Sequence, residues 1–89
     1  MTSLDLQVNS IGVDGAKAIA EALKVNAVLN KLVLNFNAIG DDGAKAIAEA
    51  LNVNPVLTEL HLFYNDLGEA GKKVVRDAVK DRRGFELML

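Results

Sequence analysis

Displacing this chain by 28 residues lays Ser3–Asn30 on Lys31–Thr58 with 19 of the 28 positions identical, and no other property of the sequence limits the fold as tightly. The run from Gly15 to Leu23, GAKAIAEAL, returns unchanged from Gly43 to Leu51. A further displacement onto Glu59–Glu86 keeps 7 of 28 positions: Leu60, Leu62, Asn65, Gly68, Gly71, Lys73 and Ala78. The third copy therefore keeps the framework and changes the surface. A unit this short cannot bury its own apolar face, so the copies must stack on one another, and the product is an elongated array with a shared core.

Two periodicities alternate inside the unit. Leu4-Asp-Leu6, Leu32-Val-Leu34 and Leu60-His-Leu62 alternate with period two, which predicts short strands with their leucines turned inward. Ala16, Ile19, Ala20 and Leu23, repeated as Ala44, Ile47, Ala48 and Leu51, follow the i, i+3, i+4, i+7 spacing of an amphipathic helix. Gly12, Gly40 and Gly68 fall at the predicted N-caps, and Asp14, Asp41, Asp42 and Glu69 follow where acids complement the helix dipole. Helices of about three turns are expected, ending near Val25-Asn26 and Val53-Asn54-Pro55, since Pro55 turns Asn54 away from helical dihedrals. Stacked strand on strand and helix on helix, the units form an α/β fold: a right-handed solenoid, curved because helices are wider than strands, with parallel strands on the concave side and helices on the convex side. Asn9, Asn37 and Asn65 follow each strand at one phase, where a side-chain amide can bridge the backbones of adjacent turns.

Composition narrows the function. A chain of 89 residues holds one domain, here 1–89 with repeats at 3–30, 31–58 and 59–86, and has little interior in which to enclose a substrate. Zero cysteines exclude a disulfide framework, a thiolate metal cage and a cysteine nucleophile. A net charge of −2 argues against a nucleic-acid partner. No apolar run approaches the ~18 residues of a membrane span, and MTSLDLQ lacks the basic and apolar segments of an export signal, so no membrane partner and a cytoplasmic location are expected.

The pattern Leu29-x-x-Leu32-x-Leu34-x-x-Asn37-x-Ile39-Gly40, continued by Gly43 to Leu51, resembles the ribonuclease-inhibitor type of leucine-rich repeat over nearly the whole chain. The uniform 28-residue unit is most similar to the arrays of NOD-like-receptor-type and related proteins. That resemblance implies a horseshoe fragment that works as a protein-binding surface without catalysis. Ran GTPase-activating proteins share the repeat type, which leaves a truncated regulatory array, GTPase-activating or enzyme-inhibiting, as the alternative. A third option is a purely structural role, closing a receptor's array without touching ligand.

The two ends differ from the middle. Lys72 and Arg76 replace the alanines found at 16 and 20, then 44 and 48, so no further repeat is expected to stack there, and 72–89 reads as a C-terminal cap. Phe85 takes the phase of Leu57 and Leu29, with one residue deleted before a final strand. Met1 lies on the same phase, so the chain starts mid-repeat with an uncovered apolar face and strand edge. This predicts either the C-terminal part of a longer array or a homo-oligomer formed through the N-terminal end.

With leucines inward, the remaining strand positions form columns across the concave face: Asp5, Val33 and His61; Gln7, Asn35 and Phe63; Val8, Phe36 and Tyr64. They vary where the frame is fixed, and three of the chain's four aromatics lie among them, so Val33, Asn35, Phe36, His61, Phe63 and Tyr64 are the candidate partner-binding residues. The structural alternative is that Phe36 and Tyr64 tuck over the turn as cover. His61, the sole histidine, reads as a solvated strand residue: Asp5 lies two strands away at about 9–10 Å, while Glu59 is its neighbour on one strand. One histidine without cysteine makes no closed zinc site, and no metal or cofactor is expected. The GxxG spacings at Gly12, Gly40 and Gly68 are repeat punctuation, since two acids between the glycines of the second copy repel phosphate. Lys72, Lys73, Arg76, Lys80, Arg82 and Arg83, against Asp77 and Asp81, read as the solvated surface of the cap.

Overall fold

The computed structural model describes residues 3–7 and 9–89. Strands and helices alternate without exception: β1 (Ser3–Asp5), α1 (Gly12–Val25), β2 (Lys31–Val33), α2 (Gly40–Val53), β3 (Glu59–His61), α3 (Glu69–Val79) and β4 (Glu86–Met88). The four strands form one parallel sheet in chain order. Leu4 pairs with Leu32 and Leu32 with Leu60, which is the 28-residue repeat written as a register. Leu60 then pairs with Leu87, one residue short of the repeat, because Phe85 runs directly into β4 whereas Thr58 stands between Leu57 and β3. Val8 and Met1, with their places in the columns and at the repeat phase, lie outside the described residues. No helix among the described residues is long and apolar enough to cross a membrane.

The core is the inward face of the sheet pressed on one stripe of each helix. Leu32, Leu34, Leu60 and Leu62 meet Ile47, Ala48 and Leu51 of α2, Ala16, Ala20 and Leu23 of α1, and Val75 and Val79 of α3. Each fully buried leucine contributes about 1.5–3 kcal/mol. α1 and α2 are 14 residues long, close to four turns and one more than the periodicity suggests, while α3 has 11. Gly12 and Gly40 are the first residues of α1 and α2 and not the residues before them; Gly68 does flank α3. Both helical glycines have φ +68°, with open space where a Cβ would stand at Gly12, so the left-handed backbone and not crowding selects glycine. Crowding selects it at Gly71, where a Cβ would run into Asp41.

Polar side chains stitch the turns together on two lines. On the first, Asn37 is fully buried: its Nδ2 donates to Leu6 O at 2.8 Å and Leu34 O at 3.0 Å, and its Oδ1 accepts from Asn9 N at 2.7 Å. Asn65 repeats this one turn on, accepting from Asn37 N at 2.7 Å and donating to Leu34 O at 2.8 Å. The second line runs past the helix ends. Asn54 Nδ2 donates to Leu23 O at 2.7 Å and to Asn26 O at 3.1 Å, while its Oδ1 accepts from Val56 N and Leu57 N. At the same phase of the third unit stands Arg82, which reaches back to Leu51 O at 3.0 Å and Leu57 O at 2.6 Å and lies 5.0 Å over the Phe85 ring. Burial lowers its pKa from the usual guanidinium value. Arg82 therefore leaves the solvated basic group in which its sequence position places it.

The third unit also resolves its first helical turn differently. The amides of Gly12 and Gly40 donate forward to Asn37 O and Asn65 O of the next unit, both at 2.7 Å. Gly68 N donates backward to Asp41 Oδ1 at 2.7 Å. Asp41 has no counterpart in the first unit, where Val13 stands.

Candidate interaction face

The open side of the sheet presents columns in the expected register. Asp5, Val33 and His61 pair across β1 to β3, with Met88 completing the row on β4; Ser3, Lys31, Glu59 and Glu86 form the row beside it. Asn35 and Phe63 adjoin, since Asn35 Oδ1 accepts from Phe63 N at 2.7 Å. Phe36 and Tyr64 stack with ring centroids 4.6 Å apart and planes 13° from parallel, and Phe63 tilts against Tyr64 at 6.3 Å. The structure thus brings Asn35, Phe36, Phe63 and Tyr64 into one cluster just beyond the ends of β2 and β3.

The six candidate residues are not equivalent. Tyr64 is 74% exposed, Phe36 49% and Phe63 38%, so a large part of each ring stands out from the turn. Val33 is a correction: at 7% exposure it is closed off by its neighbours, and it backs the face without offering contact area. Asn35 is half-buried and already holds the next turn through its carbonyl.

Backbone geometry sharpens the difference. Phe36 and Tyr64 have φ of 62° and 58°, in the left-handed region that bulky residues rarely occupy. Such a position costs about 1–3 kcal/mol. The loop imposes this conformation on consecutive turns, and glycine or asparagine would meet it with less strain. One ring stack returns about 0.5–1.5 kcal/mol, less than two strained residues are expected to cost. The sequence gives no sign of these dihedrals, because the residues that signal them are absent.

His61 is the second correction. It is not a freely solvated histidine: Nε2 lies 2.6 Å from Glu59 Oε2, and Lys31 Nζ stands 3.4 Å from the same oxygen. The hydrogen bond with His61 is the main cause that holds the Glu59 carboxyl below the usual carboxylate range; Lys31 adds to it and partial burial opposes it. Their i, i+2 spacing on one strand carries this pairing, whereas Asp5 binds Gln7 instead. Among the described residues, no group of three or more His, Asp or Glu side chains converges as metal ligands would.

An open recess of about 490 Å³ adjoins the rings, bordered by Phe63, Tyr64, Asp66, Leu67, Lys72 and Leu89. A second, of about 550 Å³, lies among Val53, Pro55, Arg82, Arg83 and Phe85 and shares no residue with the first. On α3 the basic run is broken up, since Lys73 pairs with Asp77 at 2.8 Å, which raises the lysine pKa and lowers that of the aspartate.

Comparison with known proteins agrees with this architecture. The model of the family described as leucine-rich repeat matches residues 1–20, 25–48 and 53–71. No curated protein matches the sequence.

Proposed function

The chain belongs to the leucine-rich-repeat family, and from that premise we propose that it is a non-enzymatic interaction module whose concave face engages another protein through Phe36, Phe63 and Tyr64. Asn35 and His61 border the contact, and Val33 supports it from beneath. The observation that carries this reading is the pair of aromatic residues kept in left-handed backbone with their rings exposed. Strain that a simpler residue would relieve, at side chains that recover little of it by burial, points to use by a partner. The two lines of inter-turn hydrogen bonds hold the face rigid, so little conformational entropy is lost on binding. Residues 72–89 close the array, with Arg82 standing in for the asparagine of the earlier units. Replacing Phe63 and Tyr64 together by alanine is expected to abolish partner binding while circular dichroism stays native; binding that survives in the folded variant defeats the proposal.

A second reading concerns the other end and has its own observation. Leu4 is 42% exposed where its counterpart Leu32 is 0%. Among the described residues β1 has a neighbour on one side alone, so a second copy can cover both the sheet edge and the adjoining face of α1. Light scattering across a concentration series is expected to show a dimer, and a folded monomer throughout removes this reading.

A further inference from the structure

We propose that the segment captured by the concave face is extended and arginine-bearing, with a guanidinium stacked on Tyr64 and paired with Asp66. This rests on the reading that the face binds protein, and it names the chemistry of what is bound.

Charge is distributed unevenly over the molecule. Six of the ten lysines and arginines lie between Lys72 and Arg83, on α3 and beyond it. The sheet face instead carries Asp5, Glu59 and Glu86, with Asp66 at its aromatic end, against Lys31. Lys31 is already engaged with Glu59. Glu86, beside Glu59 in register, is exposed and makes no ion pair among the described residues; the same holds for Asp66. An acidic face with exposed π-faces selects a cation.

Arginine fits this better than lysine. Its planar guanidinium is weakly hydrated, stacks on a ring, and meets a carboxylate with two parallel donors. Tyr64, the most exposed of the three rings, borders the same recess as Asp66, so one guanidinium can reach both. Glu59 opens β3 and Phe63 lies just beyond its end, four residues on, so an extended segment that leaves the recess along the face passes Glu59 and Glu86. A second arginine on that segment meets Glu86, since Glu59 already holds His61 and Lys31. Lys72 borders the recess too and opposes an incoming cation.

Tyr64 is the chain's single tyrosine and tryptophan is absent, so intrinsic tyrosine fluorescence reports on this recess alone. The probes are blocked peptides of threonine carrying two arginines four positions apart, with lysine and glutamate counterparts. The arginine peptide is expected to change Tyr64 emission and to bind about tenfold more tightly than the lysine peptide, weakening with salt, while the glutamate peptide does not bind. Asp66→Asn, which keeps a residue tolerant of the left-handed φ of 61°, is expected to weaken binding about tenfold, and Lys72→Gln to tighten it severalfold. Equal binding of the lysine or glutamate peptide, or no loss in Asp66→Asn, overturns the inference. An unbiased peptide-display selection separates the two levels of the argument. Enriched acidic or purely apolar sequences that depend on Phe36 and Tyr64 leave the interaction module standing and remove the arginine; no enrichment at all removes the interaction reading itself.

Discussion

Units one and two share 19 of 28 residues, yet the structure treats the same side chains differently. Leu32 is enclosed and Leu4 is not; Asn37 is buried at the centre of a hydrogen-bond line, while Asn9 is exposed at its start. Ala50 is fully buried and its counterpart Ala22 is exposed. Burial in such a fold belongs to the stack and not to the unit, because each unit hides one face under the preceding unit and the other under the next. Equal residues therefore have unequal energetic weight, and that inequality can be measured.

The largest effect is expected at the asparagine line. Asn37→Ala removes its bonds to Leu6 O and Leu34 O, which keep Asn9 Nδ2 and Asn65 Nδ2 as donors, and leaves Asn9 N without the acceptor it has now. The two lost bonds cost about 1 kcal/mol each and the stranded amide about 1–3 kcal/mol, so a loss of about 4 kcal/mol is expected in urea unfolding, against less than about 1 kcal/mol for Asn9→Ala. Equal losses in the two variants break the comparison. The leucines come next. Leu32→Ala is expected to cost about 3 kcal/mol and Leu4→Ala about 1 kcal/mol, since a cavity can form only where the side chain is enclosed.

Much of this inequality was readable in the sequence and some was not. Period two at Leu32-Val-Leu34 and helical spacing from Ala44 to Leu51 suffice for strands, helices and register, because a repeat forces each element to meet its own copy. The recurrence of Asn9, Asn37 and Asn65 announces the first hydrogen-bond line. Asn26 and Asn54 recur with equal regularity, but their position after a helix end reads as simple termination, and a lone arginine at the next phase does not look like an asparagine. The aromatic columns were readable as a pattern. Their left-handed backbone was not, nor the closure of Val33, nor the tie between His61 and Glu59, all of which depend on neighbours that the linear order does not display.

Arg82 tests whether the third unit works by substitution. Arg82→Ala removes two charge-assisted bonds to carbonyls and the contact with Phe85, and a loss of about 2 kcal/mol is expected. Arg82→Asn is expected to recover about half of it by reaching Leu51 O as Asn54 reaches Leu23 O. No recovery would show that the third unit has its own solution and does not copy the second. A smaller effect of opposite sign is expected at the rings: Tyr64→Asn relieves backbone strain and gives up one stack, for a net gain of about 0.5 kcal/mol in stability together with lost binding. A destabilised Tyr64→Asn would return the rings to a structural role.

The smallest effect is expected from charge. Lys31 and His61 meet at Glu59, a link that joins units two and three, while Lys31 faces uncharged Ser3 across the preceding step. The Glu59 carboxyl titrates below its ordinary value of 4.5, so its contribution is fully present above that pH and is lost as the pH falls through the folded-state value. Glu59→Gln removes the titration and leaves the shape. The wild type is therefore expected to exceed Glu59→Gln slightly in urea midpoint at neutral pH, with the difference vanishing once the pH has fallen below the folded-state value. A difference that persists unchanged in acid would mean that the Glu59 hydrogen bonds act without its charge. Identical midpoints at neutral and acid pH would mean that packing, the sheet and the asparagine lines join units two and three without help from charge, as they join one and two.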